Sequence, residues 1–509
     1  MRAVRRVGAR FFAGVLVVGI LMAPSVGASG ASLLEGRVID RTLDNGMRVL
    51  LVERPAVPTV SYNIAFRVGS VNERTGESGL AHLFEHMAFK GTTTLGTKDF
   101  ERERPLLDEL DRIALDIQRE ESRGAAVDAE RVASLRQRFE AVQDEARALV
   151  APNELGVIYD RQGGVGFNAS TGVEVTRYTV SLPANRLPLW VAIESDRMAR
   201  PVFREFYTER SVVLEERRMR VADNPMGKLY ETFLATAFMA HPYGTPTIGW
   251  ASDVDRLTAP AAREFFDRYY GPGNAVVAIV GDMKADDVLR RVAGSFGALP
   301  ARPAPPPVVT REPAQDGERR VEVEYDAEPQ MLIGYHKPDI NDPDDPVFDV
   351  IESLLSSGRT SRLYTGLVKN RQVAVAASSS TGEPGARYPN LLVLQATPRA
   401  PHTLDEVEAA LLAEVERLQR EDVPDRELEK VINRLDADLI RSLQSNSGLA
   451  SQLAYYQAVA GDWRYLLRIR DRMAAVTPAD VRRVASTWLT KKNRTVARLV
   501  RPTPAPAAP

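Results

Sequence analysis

The chain has no cysteine among its 509 residues and only five histidines. The missing thiols exclude a disulfide framework, thiolate zinc ligands and a cysteine-linked lipid anchor. They are compatible with an oxidising periplasm, where a large core needs no covalent staple. An excess of charge is also missing. Lys+Arg total 66 against 68 Asp+Glu, a formal net charge of −2, which gives no nucleic-acid footprint. Past the N-terminus no apolar run approaches transmembrane length. The remainder, 44% hydrophobic and 26% charged, is ordinary for a globular chain. Its length suggests two or more domains at roughly 100–200 residues each.

The N-terminus reads as a secretory signal. Arg2, Arg5, Arg6 and Arg10 form a positive region, and Phe11 to Ala23 is an apolar run too short to span a bilayer comfortably. Small residues follow, and cleavage after Ala28 or Ala31 is expected. Residues 1–28 hold four arginines and no acid, so their removal takes the formal charge from −2 to near −6. The mature chain is then periplasmic or secreted, with no stable membrane span.

Two of the five histidines stand in one short run, His82-Leu83-Phe84-Glu85-His86. On a helix, residues four apart share a face, so both imidazoles can address one ion. Glu85 precedes the second histidine and is placed to touch a water on that ion. The order H-x-x-E-H reverses the commoner H-E-x-x-H zinc peptidase motif. A zinc hydrolase needs three protein ligands and an open position for water. The third is sought in the segment 209–216 (ERSVVLEE). Glu209 and Glu216 are two turns apart and share a helix face. One can ligate while the other hydrogen-bonds a ligating histidine. Glu215 points elsewhere.

From about residue 36, strands and helices alternate. Met47–Glu53, Thr59–Val68 and Ala275–Gly281 read as strands. Glu77–Lys90, with the motif, and Ala285–Phe296 read as helices. Residues 299–307 (LPARPAPPP) form a proline-rich spacer unsuited to a helix or inner strand. We place a linker at 299–319, between an N-terminal metal-binding domain (36–298) and a C-terminal domain (320–500). After it the pattern restarts: strands at Gln330–His336 and Asn390–Ala396, helices at Pro346–Ser356, Ser361–Lys369, His402–Glu421 and Asp425–Gln444. The shared element order suggests a duplication. The tail 501–509 is proline/alanine-rich and is expected to be disordered.

Residues 99–150 stand apart. Leu106, Leu110, Ile113 and Ile117 mark one helical face. Val132, Leu135, Phe139, Val142, Ala146 and Leu149 mark another. With a turn at 122–124 (SRG), the segment reads as an inserted antiparallel helical hairpin whose charges are solvated faces.

These residues support a resemblance. The motif and the residues after it, 87–92 (MAFKGT), are similar to the pitrilysin/insulysin family of zinc metallopeptidases, the inverzincins, in their mitochondrial-processing-peptidase-like branch. Residues 166–171 (GFNAST), 209–216, 241–244 (HPYG), 269–275 (YYGPGNA), 280–282 (VGD) and 361–364 (SRLY) match further blocks in order, so the resemblance spans roughly residues 36–500. It implies an α+β fold of two similar domains. Each is a mostly antiparallel sheet packed with helices, and the first carries the inserted hairpin. It implies a zinc metalloendopeptidase holding one zinc ion per chain on His82, His86 and Glu216, with Glu209 supporting and Glu85 as the catalytic base. Asn168, Ala169, Ser170 and Thr171, if they form an edge strand beside the zinc, could pair with an extended peptide substrate by strand addition.

Two departures qualify the resemblance. First, 129 residues separate His86 from Glu216, beyond the family's usual gap, and the hairpin accounts for the excess. Second, an arginine and, seven residues on, a tyrosine that help bind substrate in the family fall here on Val368 and Val375, with Arg371 off register. That implies a partner: a homologous subunit supplying the Arg/Tyr pair, or a homodimer. The competing reading is a non-catalytic core or scaffold subunit of a peptidase-like assembly. The lone His241, His336 and His402, and Trp250, read as turn, core or surface residues.

Overall fold

The computed structural model describes Leu34 and residues 36–502. The expected signal sequence and all but two residues of the tail lie outside the described residues. Two sheets organise the chain. The first contains β1 (Ile39–Thr42), β2 (Arg48–Glu53), β3 (Thr59–Phe66), β4 (Val165–Thr171), β5 (Thr176–Pro183) and β6 (Ala275–Gly281), in the order β1-β2-β6-β3-β5-β4. The second contains β7 (Arg319–Glu324), β8 (Gln330–Lys337), β9 (Ala374–Glu383), β10 (Asn390–Pro398) and β11 (Arg494–Val500), in the order β7-β11-β8-β10-β9.

The two sheets repeat one plan. β2 runs parallel to β6, then β3, β5 and β4 follow antiparallel. β7 runs parallel to β11, then β8, β10 and β9 follow antiparallel. Only β1 lacks a counterpart. The fold is the expected α+β type, and the shared strand order makes the repetition visible where sequence identity did not.

Ten helices matter for the site and its support. They are α1 (Leu80–Met87), α2 (Phe100–Glu121), α3 (Ala129–Arg147), α4 (Leu187–Ala199), α5 (Phe206–Arg217) and α6 (Pro225–Ala237) in the first half. In the second half they are α7 (Asp345–Ser356), α8 (Leu404–Arg420), α9 (Asp425–Ser442) and α10 (Asn446–Val459). α2 and α3 form the expected hairpin, with Leu110, Ile113, Ala114, Val142 and Ala146 buried. Residues 300–317 form no regular element.

The central strands of each sheet are buried on both faces, which explains uninterrupted apolar runs such as residues 275–281 (AVVAIVG). Alternate residues serve different cores. Val277 and Ile279 face the helices of their own half. Val276, Ala278 and Val280 pack with Leu449, Leu453 and Ala454 of α10, from the second half. The exchange is reciprocal: Leu229, Phe233 and Leu234 of α6 pack on Leu332, Leu391, Val393 and Leu499 of the second sheet. Gly334 permits this approach, since a Cβ there would lie 2.4 Å from the Phe233 ring. α6 and α10 occupy equivalent places in the two halves, so each half covers the other's sheet.

The motif helix is shorter than the expected Glu77–Lys90. It starts at Leu80 because Gly79 takes the left-handed conformation (φ 94°), where a Cβ would press on Val254 and the Ile248 carbonyl. The Glu73 carboxylate then accepts the Gly79 and Ala81 amides at 2.9 and 2.7 Å, satisfying two orphan donors of the helix start. Ser361–Lys369, expected as a helix, is helical, with a π-helix over Tyr364–Asn370.

Candidate metal centre

α1 presents His82 and His86 from successive turns, their ring centroids 5.0 Å apart. α5 crosses them and brings Glu216. Its Oε2 lies 3.7 Å from His82 Nε2 and 3.5 Å from His86 Nε2. Among the described residues this is the one cluster whose donor atoms could hold a metal ion, all within 4.8 Å of one another. Two imidazole nitrogens and a carboxylate oxygen suit zinc. Bonds of about 2.0–2.1 Å in a tetrahedron put donors about 3.4 Å apart, close to the spacing of Glu216 Oε2 from each histidine.

The second nitrogen of His86 is engaged as well. Its Nδ1 stands 3.1 Å from Glu209 Oε2, two turns before Glu216 on the same helix face. Lys90, one turn past His86, holds Glu209 at 2.6 Å and Glu205 at 2.9 Å. Burial alone would raise the Glu209 carboxyl. The hydrogen bonds from His86 and Lys90 outweigh it and bring the group down to about 2. The hydrogen bond to Glu209 raises His86 above the ordinary histidine value against the pull of burial. Burial, then the charge of His86, pushes His82 down to about 3. His82 is therefore neutral near pH 7, the state a metal needs. Glu215 turns away and pairs with Arg218 at 2.6 Å.

The cluster opens on a cavity of about 720 Å³. Glu85 lines it beside His82, His86 and Glu216. So do Asn168, Ala169, Ser170 and Thr171, which lie on β4, the outermost strand of the first sheet. β4 bonds only β5, with an irregularity between Val165 and Asn168, so its other edge is unpaired within the sheet. The expected combination of edge strand and donor cluster is thus present in one cavity.

Several lining residues escaped the reading of the sequence. Arg220 contacts Glu216 Oε1 at 2.8 Å. Tyr230 hydrogen-bonds Glu383 across the two halves at 2.6 Å. Residues 244–248 close one side, and among the described residues Pro384 is the one second-half residue that lines the cavity. The i,i+4 spacings His86–Lys90 and Glu216–Arg220 were the available signals, and alone they are ordinary helix pairs. Val368 packs on the second core and Val375 is half exposed on β9. Neither lines the cavity. His241 Nδ1 caps a turn at the Tyr243 amide, His336 bonds the Ala237 carbonyl, and His402 pairs with Glu406, as turn, core and surface residues should.

Comparison with known proteins agrees with this geometry. The family model "Insulinase (Peptidase family M16)" matches residues 48–106, which include His82, Glu85 and His86. The model "Peptidase M16 inactive domain" matches residues 256–435, outside the donor cluster. The chain carries peptidase family M16 domains, and its relatives and structural neighbours are M16-like peptidases. Zinc protease PqqE of Helicobacter pylori is 27% identical over 454 residues, covering 88% of this chain and 89% of that protein. The crystal structure of a protease from Helicobacter pylori superposes with a TM-score of 0.77 at 26% identity, over 91% of this chain and 99% of the other. The first half of the periplasmic protease PqqL from Escherichia coli has the same fold, with a TM-score of 0.66 at 19% identity over 92% of each chain.

Proposed function

We propose that this M16 chain is a zinc-dependent endopeptidase acting on peptides or unfolded polypeptides. The observation that carries the reading is the convergence of His82, His86 and Glu216 with Glu85 and the edge of β4 in one cavity. The same convergence counts against a scaffold role, and the inactive-domain match, residues 256–435, includes none of these donors.

His82, His86 and Glu216 would hold one zinc ion. Bound there, the ion would supply a Lewis acid that polarises a carbonyl and makes water nucleophilic near neutral pH. Glu85 takes the proton of the attacking water and passes it to the leaving amine. Glu209 fixes the His86 ring through Nδ1, and Lys90 keeps Glu209 charged. Asn168–Thr171 align an extended backbone by strand addition, which selects unfolded chains over folded ones.

The chain acts after export from the cytoplasm, a reading that rests on residues 1–28. It works with a homologous subunit that supplies the arginine and tyrosine its second half lacks, or as a homodimer. Support for a partner is that the second half lends only Pro384 to the cavity lining among the described residues. Purified alone, the protein should cleave unfolded peptides poorly, and full activity of the isolated chain removes the need for a partner. The central test is a Glu85→Gln variant with metal analysis. One zinc per chain with peptide hydrolysis lost is expected. Retained hydrolysis would rule out Glu85 as the base, and a wild type that never binds zinc would favour the scaffold role.

A further inference from the structure

The inserted hairpin meets the rest of the chain beside the donor cluster, and its inner face is not a solvated one. Glu103, in the first turns of α2, is fully buried and forms a two-pronged pair with the equally buried Arg204, at 2.9 and 3.1 Å. Arg204 uses its remaining donors on three carbonyls just past α1: Lys90 at 2.5 Å, Leu95 at 3.0 Å and Thr92 at 2.7 Å. One guanidinium therefore joins three segments. They are the exit of the helix bearing His82 and His86, the entry of the helix bearing Glu209 and Glu216, and the hairpin.

A second contact follows one turn on. Tyr207 donates to Asp111 of α2 at 3.0 Å and packs edge-on against Phe139 of α3, with ring centroids 5.2 Å apart. Tyr207 stands two residues before Glu209. Between the two contacts lies Glu205, a non-glycine residue at φ 56° whose carboxylate binds Lys90. A left-handed residue of this type persists only where its surroundings hold it. A lid that swings away would strip the buried Arg204 of its carboxylate partner, at a large electrostatic cost. The hairpin is built to stay.

We propose that the inserted hairpin is a brace for the metal ligands. Glu103 and Asp111 act as positioning residues that hold the entry of α5, and with it Glu209 and Glu216, against His82 and His86. This inference rests on reading the donor cluster as a metal site. It gives the insertion a role in ion affinity rather than in substrate capture.

The test uses the full mature chain and two variants, Glu103→Gln and Tyr207→Phe. The zinc dissociation constant is measured by competition with a chelator, beside thermal unfolding of the metal-free protein and peptide hydrolysis. Loss of support around a ligand weakens metal binding about 10–100-fold. That range is expected for Glu103→Gln, with a smaller loss for Tyr207→Phe, and with KM for peptide unchanged because β4 is untouched. Arg138→Gln breaks only the exposed pair with Glu109 across the hairpin and should leave zinc affinity as it is. If Glu103→Gln does not fold, Tyr207→Phe carries the test. Folded variants with the wild-type zinc constant overturn the brace, even if they unfold at lower temperature. A wild type that binds no zinc overturns the metal reading itself, and the brace with it.

Discussion

The two halves of this chain share a sheet plan and differ in chemistry. Both run a parallel pair followed by three antiparallel neighbours, and both send one helix to cover the other's sheet. Yet α1 in the first half carries two histidines and a glutamate, while its counterpart α7 (DPVFDVIESLLS) has a glutamate, Glu352, but no histidine. On α5, Glu209 and Glu216 face His86; on the counterpart α9, Glu427 binds Arg362 at 3.0 and 2.8 Å. Corresponding helices carry a candidate metal donor set in one half and an ordinary ion pair in the other. Topology and buried apolar surface are repeated, and function rests on a few polar substitutions upon them.

The largest effects should separate the halves by chemistry. Replacing His86 by Ala, or stripping metal with a chelator, should abolish peptide hydrolysis, and zinc should restore it only in the wild type. Glu85→Gln should lower kcat by about 10²–10⁴-fold with zinc retained, the usual weight of a general base. Changes to the histidines of the second half, His336 or His402, should leave metal content at one ion per chain. A second ion lost on changing them would break the comparison.

The next test asks whether the halves are equal as structures. Phe233→Ala on α6 and Leu453→Ala on α10 each open a cavity where one half covers the other, and both side chains are fully buried. Losses of about 3–5 and 2–5 kcal/mol are expected in denaturant unfolding. Residues 36–298 expressed alone should fail to fold stably, since Leu50, Val52, Ala65, Val276 and Val280 would face water. An isolated first half that folds and binds zinc would show that the exchanged helices are dispensable.

A smaller contrast lies between glutamates in the first turns of α5 and α9. Glu209→Gln should weaken zinc binding about 10–100-fold by freeing the His86 ring. Glu427→Gln should leave zinc binding unchanged and cost only stability.

The smallest expected effect is a pH slope. Burial pushes His241 down to about 4, below its ordinary value near 6.5. Between these values the unfolded chain binds a proton that the folded chain refuses. Stability contributed by the neutral ring is therefore present above pH 6.5 and lost as pH falls toward 4. His241→Asn, whose amide can still cap the Tyr243 turn, should reduce the slope of unfolding free energy against pH in that window by up to one proton. An unchanged slope would mean His241 titrates normally in the folded protein.

Legibility was uneven, for physical reasons. The site-bearing α1 could be read because its ligands sit four apart, and helical periodicity converts that spacing into one face. Its bounds could not, because they depend on Gly79 meeting Val254 and on Glu73 reaching back from outside the helix. Glu209 and Glu216 were visible as a pair, but their division of labour followed from the resemblance; the structure places Glu209 at His86 Nδ1 and Glu216 at His86 Nε2. The hairpin's helices followed from their apolar stripes. The buried Glu103–Arg204 pair had no sequence signal, since a charged residue beside an apolar stripe ordinarily meets water. The exchange of α6 and α10 was hidden too, because an apolar helix face does not say which sheet it covers.

By itself the sequence determined the main element types, the candidate donor residues on α1 and α5, the inserted hairpin and the resemblance to a family. These are set by local periodicity and by residue chemistry at short spacing. Only the tertiary structure decided that His82, His86 and Glu216 converge, that β4 offers its free edge beside them, and that each half completes the other's core. Those facts depend on contacts between residues far apart in the chain, which burial and close packing select collectively.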